Sequence, residues 1–367
     1  MKPRILSLDL GGTAVKARVY FGEQIEKETL WHHDYRDCGL EKAKTDLLNK
    51  IKSFSKEKME AIGLSMAGLI ATDGSLYRST VLTSLEKFNL PIFFQKELDA
   101  KIVTIDNDAD CGAFSEKTFF KPGENGFLYV VVGFGVGSAY VDSAGNLPYQ
   151  TRFNPGRPFS EQDNPIPNDL GLRIALPKSE IYHQLLRYGA EKEGLEKVIR
   201  SRENIKIGKI ASATGMKTLL EMLFSGRLEM LEEWYHDKIS QFQKENPHQK
   251  NELDPNFNER SIAKSLSRFA ESGDYYARAA FELLGYFLGY GIAETEKIIR
   301  EEGHLDGFPE ICLSGLIMNS FSCFKKELQK SLLQKRVACP PRLSHDLAGS
   351  NLHGAYLRAK EALELTL

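Results

Sequence analysis

The chain is poor in the features that mark a secreted scaffold, a membrane protein or a nucleic-acid binder. It has five cysteines in 367 residues, at Cys38, Cys111, Cys312, Cys323 and Cys339. They are scattered, with no Cys-x-x-Cys pair and no Cys/His spacing that suits zinc. A disulfide framework is therefore not expected, and no zinc is. The longest apolar runs, such as Phe127-Leu128-Tyr129-Val130-Val131-Val132, fall far short of a membrane span. The start, Met1-Lys2-Pro3-Arg4, leads into a strand pattern without a signal peptide, so a cytoplasmic chain with no membrane partner is expected. Neither sign of charge is in excess: 48 Lys and Arg face 50 Asp and Glu, for a net charge of −2. With both signs interspersed, no global field draws in nucleic acid. What remains is a small molecule or another protein. None of the eight histidines pairs with another at ligand spacing on one face. His32 and His33, being adjacent on a strand, point apart, and no catalytic histidine is assigned.

Length comes next. A prior of roughly 100–200 residues per domain implies two domains, with a cleft between them. Ile5 to Leu10 reads as a short buried strand ending at an acidic residue, Asp9, where ion binding explains a carboxylate better than packing does. Gly11-Gly12-Thr13 makes a tight turn, and Ala14 to Tyr20 alternates as a returning strand. This is a hairpin, so it is neither a Walker loop nor a dinucleotide fingerprint, both of which need a helix directly after the glycines. A third strand is expected near Ile25 to Trp31 and an amphipathic helix near Leu40 to Lys56. Met59 to Ile70 is a strand leaving into a glycine-bearing loop that includes Gly68. After a short helix near Phe93 to Leu98, the strand Lys101 to Ile105 runs into the acidic cluster Asp106-Asn107-Asp108, read as the first turn of a helix. By itself that cluster is also what a plain helix cap looks like.

Beyond the linker Lys121 to Gly126 the outline repeats: a strand Phe127 to Val132, a turn Gly133-Phe134-Gly135-Val136-Gly137-Ser138, and a strand Ala139 to Asp142. Two copies of strand, glycine turn and strand point to an internally duplicated architecture, although either turn alone also reads as an ordinary hairpin. Residues 151–208 are rich in Pro, Asn and charge and read as an insertion, helical near Lys178 to Ile199. Helices are expected from Ala211 through Phe224, around Leu228 to Lys244, and over Ser261 to Ile299 with a break at Gly273-Asp274. Glu310 to Ile317 is a buried strand and turn, followed by a helix to about Gln334 and a small-residue helix start at Leu352 to Ala359.

Asp9-Leu10-Gly11-Gly12-Thr13, Asn107-Asp108, Gly133 to Gly137 and Ser314-Gly315 fall in the order and at the distances of the actin-like ATPase and sugar-kinase superfamily. More narrowly, the chain resembles the ROK family of repressors, open reading frames and kinases, with supporting matches at Gly63 to Ile70, Glu116 and Gly354-Ala355. The resemblance implies an α/β fold of two actin-like, ribonuclease H-like domains with a nucleotide cleft between them. The N-terminal domain would span 1–120 and be joined by a C-terminal helix, 352–367; the second would span 121–351 and carry the 151–208 insertion. It also implies phosphorylation of a hexose or related sugar hydroxyl by ATP and Mg2+, with Asp108 as general base. Asn107, Gly68, Glu116 and Asp169 would bind the sugar. Gly11, Gly12, Thr13, Lys16, Gly133, Gly135, Gly137, Ser314 and Gly315 would bind ATP, and Asp9 would hold Mg2+ through water. The alternative is a non-catalytic sugar sensor or regulator, and a homodimer stays open. Family repressors carry a helix-turn-helix module ahead of the position of Asp9, and here eight residues precede it.

The chain departs from the family in four places. The family's zinc loop of one histidine and three cysteines is replaced by the insertion. The Glu-x-Gly-His sugar motif has its nearest counterpart in Asp169-Leu170-Gly171-Leu172, without the histidine. Phe134 stands where threonine is usual, and Ala67 stands for the loop proline.

Overall fold

A computed structural model describes residues 2–119, 125–148, 152–153, 174–200, 205–249, 252–258, 261–301 and 310–366. The first strand, β1 (Arg4–Leu10), is buried from Ile5 to Leu10, as a strand covered on both faces must be. β2 (Ala14–Phe21) returns antiparallel to it, with Lys16 opposite Asp9. β3 (Gln24–His32) is the edge strand and carries Glu26, Lys27 and Glu28, charges that discourage further pairing. Glu28 sits across from Arg18 and accepts its Nε–H at 3.0 Å.

Helix α1 (Leu40–Phe54) buries Ala43, Leu47 and Ile51 in one cluster with Leu6, Leu8 and Leu10. β4 (Ala61–Met66) then runs parallel to β1, and β5 (Leu69–Ala71) turns back against β6 (Leu76–Arg78). α2 (Leu90–Leu98) begins where the sequence suggests, with the Asn89 side chain accepting the Ile92 N–H and Pro91 in the first turn. β7 (Ile102–Asn107) lies parallel to β4 and opens directly into α3 (Asp108–Phe119). The sheet order is β3-β2-β1-β4-β7. One boundary differs from the sequence reading: Asp106 and Asn107 belong to the strand, not to the helix turn. Their backbones continue the ladder to β4, opposite Ser65 and Met66, and the helix begins only at Asp108.

The second sheet joins β8 (Phe127–Val132) and β9 (Val136–Val141) to two late strands, β13 (Glu310–Ser314) and β14 (Arg342–Leu343), in the order β14-β13-β8-β9. β13 and β14 are parallel, as β4 and β7 are. The order therefore repeats that of β7-β4-β1-β2. Between the sheets in sequence lie β10 (Arg152–Phe153), which pairs with β5, and β11 (Ala175–Leu176), which pairs with β12 (Ile205–Lys206). The single helical stretch expected near Lys178 to Ile199 is two helices, α4 (Lys178–Arg187) and α5 (Lys192–Arg200), because Gly189 takes φ +79° and turns the chain between them.

Four more helices follow: α6 (Gly215–Leu223), α7 (Leu228–Glu245), α8 (Ile262–Glu271) and α9 (Tyr275–Glu301). α9 is buried on most of its circumference, as a helix apolar on all sides should be. α10 (Phe321–Gln334) and α11 (Ser350–Glu364) complete the chain. Two compact units result: Met1–Tyr129, Ala139–Ile166 and Ser344–Leu367 form one, and Val130–Ser138 and Pro167–Leu343 form the other. In the first, α11 lies so close to α3 that a Cβ at Gly354 would overlap the Cys111 carbonyl oxygen.

Candidate functional site

In the first unit three parallel strands end together. Leu10 on β1, Met66 on β4 and Asn107 on β7 are register partners, so the turn Gly11-Gly12-Thr13, the loop Ala67-Gly68 and the start of α3 all leave from one sheet edge. Open α/β sheets bind ligands at the carboxyl ends of their strands.

One residue earlier a row of polar side chains crosses the sheet: Lys16, Asp9, Ser65 and Asp106 stand opposite one another on β2, β1, β4 and β7. The row is largely buried and so needs partners. Ser65 Oγ donates to Asp9 Oδ1 at 2.8 Å. Lys16 Nζ lies 3.8 Å from Asp9 Oδ2 and donates to the Ala348 carbonyl at 2.6 Å. Arg358, from α11, pairs with Asp106 at 3.2 Å. Asp9 is 7% exposed.

The Gly11–Thr13 turn is closed by the Gly11 N–H donating to the Ala14 carbonyl at 3.1 Å. Behind it sits His33, 9% exposed. The Tyr35 N–H donates to His33 Nδ1 at 3.2 Å, so Nδ1 carries no proton and Nε2 does; Nε2–H donates to the Gly11 carbonyl at 3.0 Å. The His33 N–H donates to the Thr13 carbonyl at 3.0 Å, and its ring stacks on Tyr35 with centroids 4.0 Å apart. Burial pushes the imidazole below its usual range, in keeping with a neutral ring.

At the third strand end the Asn107 amide donates to the Gly68 carbonyl at 2.8 Å, while Asn107 Oδ1 and Asp108 Oδ1 each accept the Ala109 N–H at 2.9 Å. Asp108 is half-buried. Glu116 lies roughly 12 Å further along α3, at 1.5 Å of rise per residue. It is fully buried, with its carboxylate accepting from Ser344 Oγ, Ser350 Oγ and the His345 N–H. It ties α3 to the chain before α11, and the structure does not bring it to the Asn107–Asp108 end. Asp169 lies outside the described residues.

In the second unit the Gly133 N–H donates to the Gly135 carbonyl at 2.9 Å, and both glycines are exposed. Gly137 is already part of β9, so the turn is shorter than its glycine pattern suggests. The turn is braced by the residues before α6: the Ala213 N–H donates to the Gly133 carbonyl at 2.9 Å and Thr214 Oγ1 to the Phe134 carbonyl at 2.6 Å. Ser314 ends β13 and is buried. Gly315 follows with φ +101°, a conformation and a closeness to the Val132 carbonyl that admit only glycine.

The sequence reading passed over His33, Thr214 and Arg358. No local signal marks any of the three; counting the β2–β3 register back to the turn without its bulge gives His32 in place of His33.

The fold is α/β, with two domains of the actin-like ATPase fold. Residues 5–144 match the model of the ROK family. Among the solved structures that resemble the chain are the following three. A ROK family glucokinase from Streptomyces griseus, in complex with glucose and AMPPNP, is 14% identical with TM-score 0.65, over 98% of this chain and 99% of that one. A ROK hexokinase from Thermus thermophilus is 18% identical with TM-score 0.56, over 98% and 99%. A ROK family transcriptional regulator, a homologue of the E. coli MLC protein, is 16% identical with TM-score 0.63, over 98% of this chain and 78% of that one. No curated protein matches the chain by sequence. Among the described residues no helix is long and apolar enough to cross a membrane.

Proposed function

We propose that the protein is a ROK-type kinase that transfers the γ-phosphoryl group of ATP to a hydroxyl of a hexose or related sugar. The observation that carries this reading is the common strand edge, from which a glycine turn beside a buried carboxylate and an Asn-Asp pair leave on either side of β4. The ROK match over 5–144 contains all of these residues, and a structural relative was solved with glucose and an ATP analogue.

In this reading Asp108 takes the proton of the attacking hydroxyl. A hydroxyl is a poor nucleophile, and a positioned carboxylate typically contributes ~10²–10⁴-fold. Asn107 and Gly68 hold the sugar beside it. Lys16, the Gly11–Thr13 turn and the Gly133–Gly137 turn face the phosphates, and Ser314-Gly315 lies against adenosine. Backbone N–H groups bared by glycine suit anions. Asp9 suits a hydrated Mg2+: one oxygen takes the Ser65 hydroxyl, and among the described residues the other has Lys16 alone, at 3.8 Å. Mg2+, when bound, would draw charge off the phosphate oxygens. No zinc is required.

A regulator that binds sugar without turnover is the second reading, favoured by the similarity to the ROK transcriptional regulator. Incubating the chain with Mg·ATP and a panel of monosaccharides separates the two. Sugar-dependent ADP release with a phosphorylated product supports the kinase. Sugar-induced thermal stabilisation with no ADP release supports the regulator and overturns the kinase.

A further inference from the structure

We infer that His33 is a positioning residue for nucleotide phosphate, holding the Gly11–Thr13 turn in the orientation that offers its N–H groups to an anion. This rests on the nucleotide site proposed above and assigns the device that shapes it.

A trans peptide is planar, so the carbonyl of one residue and the N–H of the next point in opposite directions. His33 Nε2–H holds the Gly11 carbonyl at 3.0 Å, on the buried side of the turn. The Gly12 N–H is thereby aimed the other way. The His33 backbone N–H fixes the Thr13 carbonyl at 3.0 Å, and so the Thr13–Ala14 peptide that closes the turn. Among the described residues neither the Gly12 nor the Thr13 N–H has an acceptor within the chain. Donors left without a partner need an outside one, and an anion meets that need.

The ring is itself over-determined. Nδ1 accepts from the Tyr35 N–H, the face stacks on Tyr35, and the Tyr35 hydroxyl is anchored by donating to Asp46 Oδ2 at 2.8 Å. A protonated ring would set an Nδ1–H against the Tyr35 N–H, so only the neutral ring makes this arrangement. The charged groups that bear on it are Asp34, Asp46 and Lys50.

The test is direct titration of the chain with Mg·ATP by calorimetry, which needs no knowledge of the sugar. Two variants are compared with the parent, His33→Ala and His33→Gln, each checked for folding by circular dichroism; Gln keeps an N–H donor that does not titrate. Expected is a Kd about tenfold or more higher for His33→Ala, the usual worth of a hydrogen bond to a charged group, with most of the affinity recovered in His33→Gln. The parent should also lose affinity more steeply than His33→Gln as pH falls below the ordinary histidine pKa of about 6.5 and through the lower value that burial gives this ring; protonation of ATP itself affects both alike. If folded His33→Ala binds Mg·ATP as tightly as the parent, the inference is wrong while the nucleotide site stands. Equal pH slopes in parent and His33→Gln would also overturn it. Should His33→Ala fail to fold, the pH comparison with His33→Gln decides. If the parent binds no Mg·ATP at all, the nucleotide reading falls and this inference falls with it.

Discussion

The Asn107 side-chain amide donates to the Gly68 carbonyl at 2.8 Å, so the end of β7 is tied to the loop that leaves β4. The next residue is Asp108, and that bond fixes the backbone from which its carboxylate projects. Shape and proton transfer are separable there. Asp108→Asn keeps the shape and removes the base, so kcat for the best sugar should fall by ~10²–10⁴-fold while the sugar Kd changes little. A steady-state comparison, with sugar affinity from thermal shift, checks this. An Asn variant as fast as the parent would mean that another group takes the proton.

Ser65 is the short hydrogen-bond partner of a carboxylate that is nearly out of solvent. Ser65→Ala should destabilise the fold by about 1–3 kcal/mol, the cost of leaving a buried polar group unsatisfied. It should also raise the Mg2+ concentration needed for half-maximal turnover, since the freed Asp9 oxygen is no longer held in place. Urea unfolding and a Mg2+ titration read the two effects. Loss of stability without a change in Mg2+ demand would take Asp9 out of the metal's surroundings.

Asp106 and Arg358 form an ion pair at 3.2 Å, with side chains 7% and 18% exposed, and the guanidinium also lies 3.8 Å from the Phe114 ring centroid. Arg358→Met keeps much of the packing but takes the ion-pair partner from a buried carboxylate, so a loss of about 3–5 kcal/mol is expected. Adding Asp106→Asn to Arg358→Met should recover part of it, because the buried charge is gone. A double variant no more stable than Arg358→Met would show that packing, not charge, is what Arg358 supplies.

His353 has its Nδ1 2.9 Å from Ser115 Oγ, and burial chiefly, then Arg18, holds its pKa below the usual value. A histidine depressed in the folded state binds fewer protons folded than unfolded, so its contribution is complete above pH 6.5 and is lost as pH falls through the folded pKa. His33 acts in the same direction. Unfolding free energy should therefore decline from pH 7.5 to 5, and more gently in His353→Gln. Parallel pH profiles would remove His353 from the acid response.

The alternation of Ala14 to Tyr20, the unbroken apolar run of β8 and the Asn89-Leu90-Pro91 helix start are local, so the sequence alone determined the hairpins and most helices. Local too were the glycine turns and the Asn107-Asp108 step, since each depends on backbone freedom or capping within a few residues. Only the tertiary structure decided what surrounds them. Tyr20 pairs with Ile25 but Val19 with Lys27, so one bulge in β3 shifts the register by a residue. Without it His32 would face Thr13; with it His33 does, and a slip of one residue exchanges the two faces of a strand. Arg358, on α11, reaches Asp106, and Thr214, just before α6, reaches Phe134, each from far along the chain. Glu116, legible as a polar residue on α3, proved to be sealed under Ser344 and Ser350. Such partners are set by which elements pack together, a property that no window of sequence contains.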